Sequence, residues 1–231
     1  MINITNLSKE YNGVKVLGIE NIEIKRGESV GLVGNNGAGK TTLFSLLLDL
    51  ILPSTGQIQI NEVNVHENDR WKNFTGAFLD ESFLIGYLTP EEYFYFIGDL
   101  QGMVKDEVDA FVANYEEFFN GEVLNKKKYI RDLSKGNQKK VGIIGALIGN
   151  PDLIILDEPF ANLDPSSQFR LKKLIRELIE QREVTIIISS HDLSHTVEIS
   201  DRIIALEKGN VIKDIQTSAE TLEELNALFS V

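Results

Sequence analysis

The sequence contains no cysteine, only five prolines and a single tryptophan among 231 residues. The absence of cysteine excludes disulfides and metal sites built on thiolates, and it fits a reducing compartment. Long apolar runs are also lacking, because the stretches 43–52 and 141–148 contain polar residues or glycines and are too short to span a bilayer. Residues 1–11 are too polar for a signal peptide. We therefore expect a chain that does not insert into a membrane itself.

Positive charge is scarce overall, and the formal net charge is −12. Residues 80–124 hold eleven acidic side chains and one basic side chain, whereas residues 126–140 hold seven basic side chains and one acidic side chain. The acidic segment disfavours nucleic acid and anionic lipid as main partners. The basic run has two interpretations, a solvated face or an anion site in front of a helix.

The length and the 42% hydrophobic content predict one well-cored globular domain with room for a subdomain. Alternating apolar residues near the start predict antiparallel strands, at 2–4, 22–24, 58–60 and 63–65. Continuous apolar runs later in the chain predict buried parallel strands, at 153–156, 184–189 and 202–206. Residues 166–181 carry an apolar stripe with helical spacing, and residues from about 86 to 150 also have a helical pattern. We expect a helical region inserted into an α/β core.

Residues 34–42 carry the most specific motif, because GNNGAGKTT fits the pattern G-x-x-x-x-G-K-[ST] directly after the apolar run 29–33. In such a P-loop, glycines let backbone N–H groups turn towards phosphates, and a helix, here expected over 40–52, directs its positive dipole end at the anion. Lys40 supplies a point charge, and Thr41 is a candidate Mg²⁺ ligand. The candidate nucleotide ligands of this loop are Gly34, Asn35, Asn36, Gly37, Ala38, Gly39, Lys40, Thr41 and Thr42. The motif predicts binding of ATP or GTP.

Two carboxylates, Asp157 and Glu158, directly follow the predicted buried strand 153–156. The carboxyl edge of a parallel sheet is where such folds bind ligands. Asp157 is a candidate to support Mg²⁺, and Glu158 is a candidate to polarise the water that attacks a γ-phosphate. An acidic pair after an apolar run is common by chance, and it is the P-loop upstream that makes the assignment specific.

Residues 133–141, LSKGNQKKV, place Ser134 where it can cap a helix whose N-terminus is itself a phosphate site. This segment resembles the signature motif of the ATP-binding cassette (ABC) ATPases and precedes the acidic strand as it does in that family. Leu133, Ser134 and Gly136 match the consensus Leu-Ser-Gly-Gly-Gln-Lys-Gln-Arg, and Lys140 stands for its final arginine. Lys135 and Asn137 depart from it. A lysine in place of the first signature glycine is similar to the exporter-like (ABC-2 type) branch.

The resemblance implies roles for further residues, and each has an ordinary alternative. Tyr11 and Val16 match the position at which the family contacts adenine, although Tyr11 could be a strand-edge aromatic. Asp164 matches the D-loop at the dimer interface and also suits a helix N-cap. His191 matches the switch histidine that senses the γ-phosphate, although a histidine before an aspartate could simply belong to a cap.

Asp80 is the main departure from the family pattern, which usually has a glutamine there that touches Mg²⁺ and relays to the membrane partner. A carboxylate can bind Mg²⁺ through oxygen, but it adds negative charge near the polyphosphate and cannot donate a hydrogen bond. The neighbouring Glu81 is the alternative if the alignment shifts by one residue.

The resemblance covers essentially the whole chain and implies one ABC ATPase domain over residues 1–231. Its α/β core with an antiparallel β subdomain would take residues 1–85 and 151–231, and its helical subdomain about 86–150. It implies an ATPase subunit that uses ATP and Mg²⁺, pairs with a second copy or a homologous ATPase subunit, and powers separate membrane-spanning subunits from the cytoplasmic face. The alternatives are an ABC-type ATPase, or a nucleotide-gated binding module, that serves a soluble assembly.

Overall fold

All ten strands in the described part of the chain, residues 1–181 and 184–229 of a computed structural model, belong to one sheet. The strands are β1 (Ile2–Tyr11), β2 (Val14–Ile24), β3 (Ser29–Val33), β4 (Thr55–Ile60), β5 (Val63–Asn64), β6 (Thr75–Phe78), β7 (Leu153–Leu156), β8 (Thr185–Ser190), β9 (Arg202–Glu207) and β10 (Asn210–Gln216). The α-helices are α1 (Lys40–Leu47), α2 (Pro90–Leu100), α3 (Lys105–Ala113), α4 (Glu116–Phe119), α5 (Lys135–Leu147), α6 (Pro165–Gln181), α7 (Leu193–Ile199) and α8 (Thr221–Phe229). None of these helices within the described residues combines the length and the apolar character needed to cross a bilayer.

The sheet has an antiparallel part and a parallel part, as the sequence patterns predict. Its strand order is β5-β4-β1-β2-β10-β9-β3-β8-β7-β6. Strands β1, β2, β4 and β5 pair antiparallel, and β6, β7, β8, β3 and β9 pair parallel. The hairpin β9–β10 links the two parts, because Asn210 of β10 pairs with Gly18 of β2. The predicted α/β fold with an antiparallel β region is confirmed.

The parallel strands are buried on both faces because helices cover each side. In β7, Ile154 and Leu156 belong to the apolar cluster that contains residues of α2–α6. The alternate residues Leu153 and Ile155 belong to the second cluster, with α1 and the antiparallel strands. This double burial explains why the parallel strands are continuous apolar runs, whereas β1 alternates.

Helices α2–α5 and one short 3₁₀ turn, Ile130–Asp132, occupy most of the region that the sequence predicts to be helical. Helix α2 begins with a capping box in which Thr89 and Glu92 bond each other's backbone N–H. Helix α5 lies against β6, and a side chain at Gly142 would overlap the Phe78 ring. The boundaries of a helical subdomain at about 86 and 150 stay a prediction.

Helix α1 is shorter than its apolar pattern predicts, because it ends at Leu47 and not at Leu52. Asp49 adopts a left-handed backbone with φ 53°, and its carboxylate pairs with the His66 ring. Leu50 and Leu52 are half-exposed or more. The apolar run continues past the end of the helix, so hydrophobicity alone could not locate that end.

Candidate nucleotide-binding and catalytic site

The P-loop, the acidic pair and His191 lie at one edge of the sheet. Strands β3, β8 and β7 are neighbours and parallel, so the segments after their carboxyl ends meet there. A cavity of about 370 Å³ opens at this edge. It is lined by Tyr11, Val16, Asn36, Gly37, Ala38, Gly39, Lys40, Thr41, Thr42 and Glu158.

The P-loop begins where a side chain has no room. Gly34 has φ 156°, and a Cβ atom there would lie 2.4 Å from the carbonyl oxygen of Leu206 in β9. Lys40 is buried, and its ammonium donates a 2.7 Å hydrogen bond to the Gly34 carbonyl. The same ammonium lies 3.4 Å from Oε1 of Glu158. The loop therefore holds a cation at the floor of the cavity.

Asp157 is buried beside the P-loop helix. Thr41 Oγ1 donates a 2.7 Å hydrogen bond to Oδ2 of Asp157, and the Ser189 hydroxyl donates to Oδ1. Burial raises the pKa of Asp157 above its ordinary value, and the two hydroxyl donors partly oppose that rise. The hydroxyl and carboxylate oxygens form a compact set of oxygen donors at the end of β7.

Glu158 points its carboxylate into the cavity. Its Oε2 lies 2.8 Å from His191 Nδ1, and the His191 backbone N–H also reaches that oxygen at 3.3 Å. Asp192, the next residue, caps helix α7 by accepting from the N–H groups of Ser194 and His195. His191 is therefore not the capping residue, and its ring faces the carboxylate.

Two of the predicted P-loop ligands, Gly34 and Asn35, do not line this cavity. Gly34 contributes its carbonyl to Lys40, and Asn35 lines a separate depression together with Phe229 of α8. At the other end of the cavity, Tyr11 and Val16 lie beside the P-loop, and the Tyr11 side chain is half-exposed.

A second cavity, of about 420 Å³, lies at the N-terminus of α5. Ser134 caps that helix by accepting a hydrogen bond from the N–H of Asn137. A Cβ atom at Gly136 would lie 3.0 Å from the carbonyl oxygen of Asn162. The cavity is lined by Glu122, Ser134, Lys135, Gly136, Asn137, Lys140, Asn162, Leu163 and Asp164, so it shares no lining residue with the first.

A family model described as ABC transporter matches residues 18–161, a span that includes the P-loop, the α5 N-terminus and the acidic pair. The chain belongs to the ABC transporter family. It is an ATP-binding subunit of that family and hydrolyses ATP. The predicted family resemblance is confirmed.

Curated ABC relatives match over most of their length. The chain is 36% identical to an uncharacterised ABC transporter ATP-binding protein of Methanocaldococcus jannaschii, covering 91% of this chain and 76% of the relative. It is 34% identical to the bacitracin transport ATP-binding protein BcrA of Bacillus licheniformis, with coverages of 93% and 69%. It is 31% identical to the ABC transporter ATP-binding protein NatA of Bacillus subtilis, with coverages of 99% and 96%.

Solved ABC structures have the same fold. A dimeric structure of MJ0796, a bacterial ABC transporter cassette, is similar with a TM-score of 0.85 and 25% identity, covering 95% of this chain and 100% of that one. An ATP-binding subunit of an ABC transporter is similar with a TM-score of 0.84 and 27% identity, covering 100% and 93%.

The Asp80 carboxylate, which stands where the family usually has a glutamine, caps the turn that follows it. It follows β6, is exposed, and accepts a 2.5 Å hydrogen bond from the backbone N–H of Ser82, so it caps the 3₁₀ turn Glu81–Phe83. It does not line the nucleotide cavity. Its predicted contact with Mg²⁺ stays a prediction.

Sequence reasoning missed two contributors to this ABC site. Ser189 donates to Asp157 and also accepts the Glu158 backbone N–H at 2.9 Å. Lys139 donates to the Glu158 carbonyl at 2.8 Å. The basic run is indeed solvated at Lys126–Lys128 and Lys135, but its last two members, Lys139 and Lys140, are buried. Their position directly before the apolar run 141–148 was the available signal.

Asp164 offers a test of stability that needs no nucleotide. Its carboxylate accepts the backbone N–H and the hydroxyl of both Ser166 and Ser167, which holds its pKa below the ordinary value. We expect Asp164→Ala to lower the free energy of unfolding by about 1 kcal/mol, because the cap of α6 is lost. Asp164→Asn keeps a capping oxygen and should cost less. Urea unfolding measures both.

The pH dependence of the unfolding free energy separates the contribution of the Asp164 charge from that of its capping hydrogen bonds. Because the folded-state pKa of Asp164 is lowered, its charge stabilises the fold above the ordinary aspartate pKa, and this gain is lost as the pH falls through the lowered value. The difference in unfolding free energy between wild type and Asp164→Asn should therefore be largest near neutral pH and shrink in acid. A difference that grows in acid would contradict the assignment.

Proposed function

We propose that two copies of this chain, or this chain and a homologous subunit, bind two ATP molecules at composite sites. Each site joins the P-loop cavity of one subunit to the signature cavity of the other. The observation that carries this proposal is the separation of the two cavities, since Ser134, Gly136 and Asp164 line one and Lys40 and Thr41 line the other. The similar MJ0796 cassette is described as dimeric, which supports this arrangement.

At the phosphate end, the backbone N–H groups of residues 34–42 and the Lys40 ammonium bind the polyphosphate. Tyr11 stacks on the adenine and Val16 contacts its edge, consistent with their place beside the loop. In the partner, Ser134 and the Gly136 backbone face the γ-phosphate, and Asp164 lies at the subunit interface.

Thr41 and Asp157 fit a magnesium ion, because their side-chain oxygens lie 2.7 Å apart beside Lys40 and are the donors that this hard cation prefers. Asp80 is the third candidate ligand, on the loop after β6. Magnesium, when bound, would neutralise charge on the phosphates.

Glu158 is the proposed base and His191 its positioning partner. The carboxylate accepts a proton from the attacking water as the new bond to the γ-phosphorus forms and the bond to the β,γ-bridging oxygen breaks. His191, 2.8 Å from Oε2, holds the carboxylate in place and can sense the γ-phosphate. Lys40, whose ammonium lies 3.4 Å from Oε1 of Glu158, couples phosphate binding to the position of the base.

The closing and opening of the dimer powers transport through separate membrane-spanning subunits, and the chain works at the cytoplasmic face of the membrane. The relatives named for bacitracin transport support the exporter-like branch. Copurification tests this coupling. A polytopic membrane protein should copurify from mild detergent, whereas stable association with soluble proteins alone would contradict it and favour a soluble assembly.

Gly136→Glu tests the composite site. A carboxylate at the α5 N-terminus would meet the γ-phosphate of the partner's ATP, and like charges repel. We expect ATP to dimerise the slowly hydrolysing Glu158→Gln protein and not the Glu158→Gln/Gly136→Glu protein, as measured by light scattering. The affinity of the monomer for ADP should stay the same.

The matched control is Leu100→Glu, which adds the same carboxylate at an exposed position at the end of α2. It should leave the ATP-dependent dimer intact. An ATP dimer that persists in the Gly136→Glu background would remove the signature cavity from the site.

A further inference from the structure

Lys139 is a buried cation in helix α5. Only 5% of its side chain is exposed, and its ammonium donates a 2.8 Å hydrogen bond to the carbonyl oxygen of Glu158. The ammonium also lies 3.6 Å from Oε1 of Glu81 and 5.9 Å from the centre of the Phe78 ring. A buried ammonium is costly unless it is paired, so these contacts explain how the fold retains it.

The Lys139 bond falls on a residue with an unusual backbone. Glu158 has φ 47°, in the left-handed region that side-chain-bearing residues seldom adopt. Its N–H donates to Ser189 Oγ at 2.9 Å, and its carbonyl accepts from Lys139 and, at 3.2 Å, from the backbone N–H of Ala161. Strained backbone persists only where its surroundings determine it, and here two side chains hold the peptide groups of Glu158.

Glu81 supplies the charge that balances Lys139. Its side chain is 13% exposed, and its Oε1 is buried with no hydrogen-bond donor among the described residues. Lys139 is the ion-pair partner of that oxygen. The ammonium thus joins three segments, namely helix α5, the turn after β7 and the 3₁₀ turn after β6.

We propose that Lys139 is a positioning residue for ATP hydrolysis, which holds the backbone of Glu158 so that its carboxylate faces the attacking water. The inference rests on the proposed role of Glu158 as the base. Lys139 does not line the nucleotide cavity, so its loss changes the position of the base and not the binding of ATP. The expected signature is therefore a fall in kcat with an unchanged KM.

The test compares three variants of the full chain. Lys139→Met keeps the length of the side chain and removes the donor, and kcat should fall at least about tenfold, with KM for ATP and Kd for ADP within about twofold. Lys139→Arg restores a donor and should recover most of kcat. Lys139→Met/Glu81→Met makes both partners of the buried pair apolar, which is often neutral for stability, and it should keep the reduced kcat.

Each outcome decides the question. A wild-type kcat in the folded double variant, or a rise in KM and Kd parallel to the fall in kcat, overturns the proposal. A double variant that does not fold assigns Lys139 to the stability of the fold and overturns it equally. If Lys139→Met alone fails to fold, the double variant decides, because it leaves no unpaired buried charge.

Two measurements keep this inference distinct from the proposed function. Glu158→Gln is assayed in parallel, and if it retains turnover, the role of Glu158 itself is wrong. If Glu158→Gln is inactive and the Lys139 variants turn over normally, only the inference about Lys139 fails. Lys172→Met is the matched control, since it removes an ion pair with Glu198 on the surface of α6 and α7 and should leave kcat unchanged.

Discussion

Replacing Glu158 with Gln should abolish ATP turnover while ATP remains bound. The amide has the shape of the carboxylate but cannot take a proton from water, and a positioned general base contributes about 10²–10⁴-fold to a rate. Because Lys40, Thr41 and the P-loop backbone are unchanged, nucleotide affinity should be preserved. The variant should accumulate as an ATP-bound dimer, measured by phosphate release and by light scattering.

The control for Glu158→Gln is Glu117→Gln, the same substitution at an exposed residue that pairs with Lys173 on α6. That control should hydrolyse ATP at the wild-type rate. Unchanged turnover in Glu158→Gln would remove Glu158 from the role of base. His191, whose Nδ1 lies 2.8 Å from that carboxylate, would then be the next residue to replace.

Lys40→Ala has a different expected effect, a loss of nucleotide binding itself. The Lys40 ammonium is buried at the cavity floor and bonds the Gly34 carbonyl, so it sits where the P-loop backbone converges. Removing one partner of a buried, hydrogen-bonded charge pair costs about 2–5 kcal/mol, so we expect Kd for ADP to rise about 30-fold or more. Titration calorimetry with ADP measures this without turnover.

Thermal unfolding without nucleotide accompanies that titration, because Lys40 also lies 3.4 Å from Glu158. The Glu158 side chain is 26% exposed, so losing its cation should change stability only slightly. Lys172→Ala is the control lysine, and it should bind ADP as the wild type does. Undiminished affinity in folded Lys40→Ala protein would contradict the P-loop assignment.

The two predictions separate binding from chemistry at groups that lie within 3.4 Å of each other. Lys40 should act on Kd and Glu158 on kcat. A protein in which both substitutions changed only Kd would bind nucleotide without the proposed base. The Lys139 variants should change kcat, because the Lys139 ammonium contacts the site only through the backbone of Glu158 among the described residues.

Much of the fold could be predicted because its signals are local. The run 153–156 matches strand β7, and the stripe over 166–181 matches helix α6 to within one residue. The end of α1 could not be predicted, because Asp49 and its partner His66 are 17 residues apart and a pattern of apolar residues does not contain that contact. This contact exists only once the segment after β5 lies beside the end of α1.

The basic run 126–140 shows that a local pattern of charges does not predict burial either. Lys135 and Lys139 are lysines of the same basic run. Lys135 is exposed, whereas Lys139 is buried against Glu158 and Glu81. The face of a short helix that turns inward is determined by what the rest of the chain places against it. Ser189 likewise became part of the site only because β8 lies between β3 and β7.

By itself, the sequence determined the nucleotide chemistry of this protein. The glycines, Lys40 and Thr41 of the P-loop are neighbours in the chain, and phosphate binding depends on backbone geometry that they create locally. Only the tertiary structure decided how Asp157, Glu158 and His191 meet that loop, that Lys139 bonds the Glu158 carbonyl, and that the signature residues line a cavity of their own. Those relations join segments up to about 150 residues apart, and the packing of parallel strands and helices alone brings such segments together.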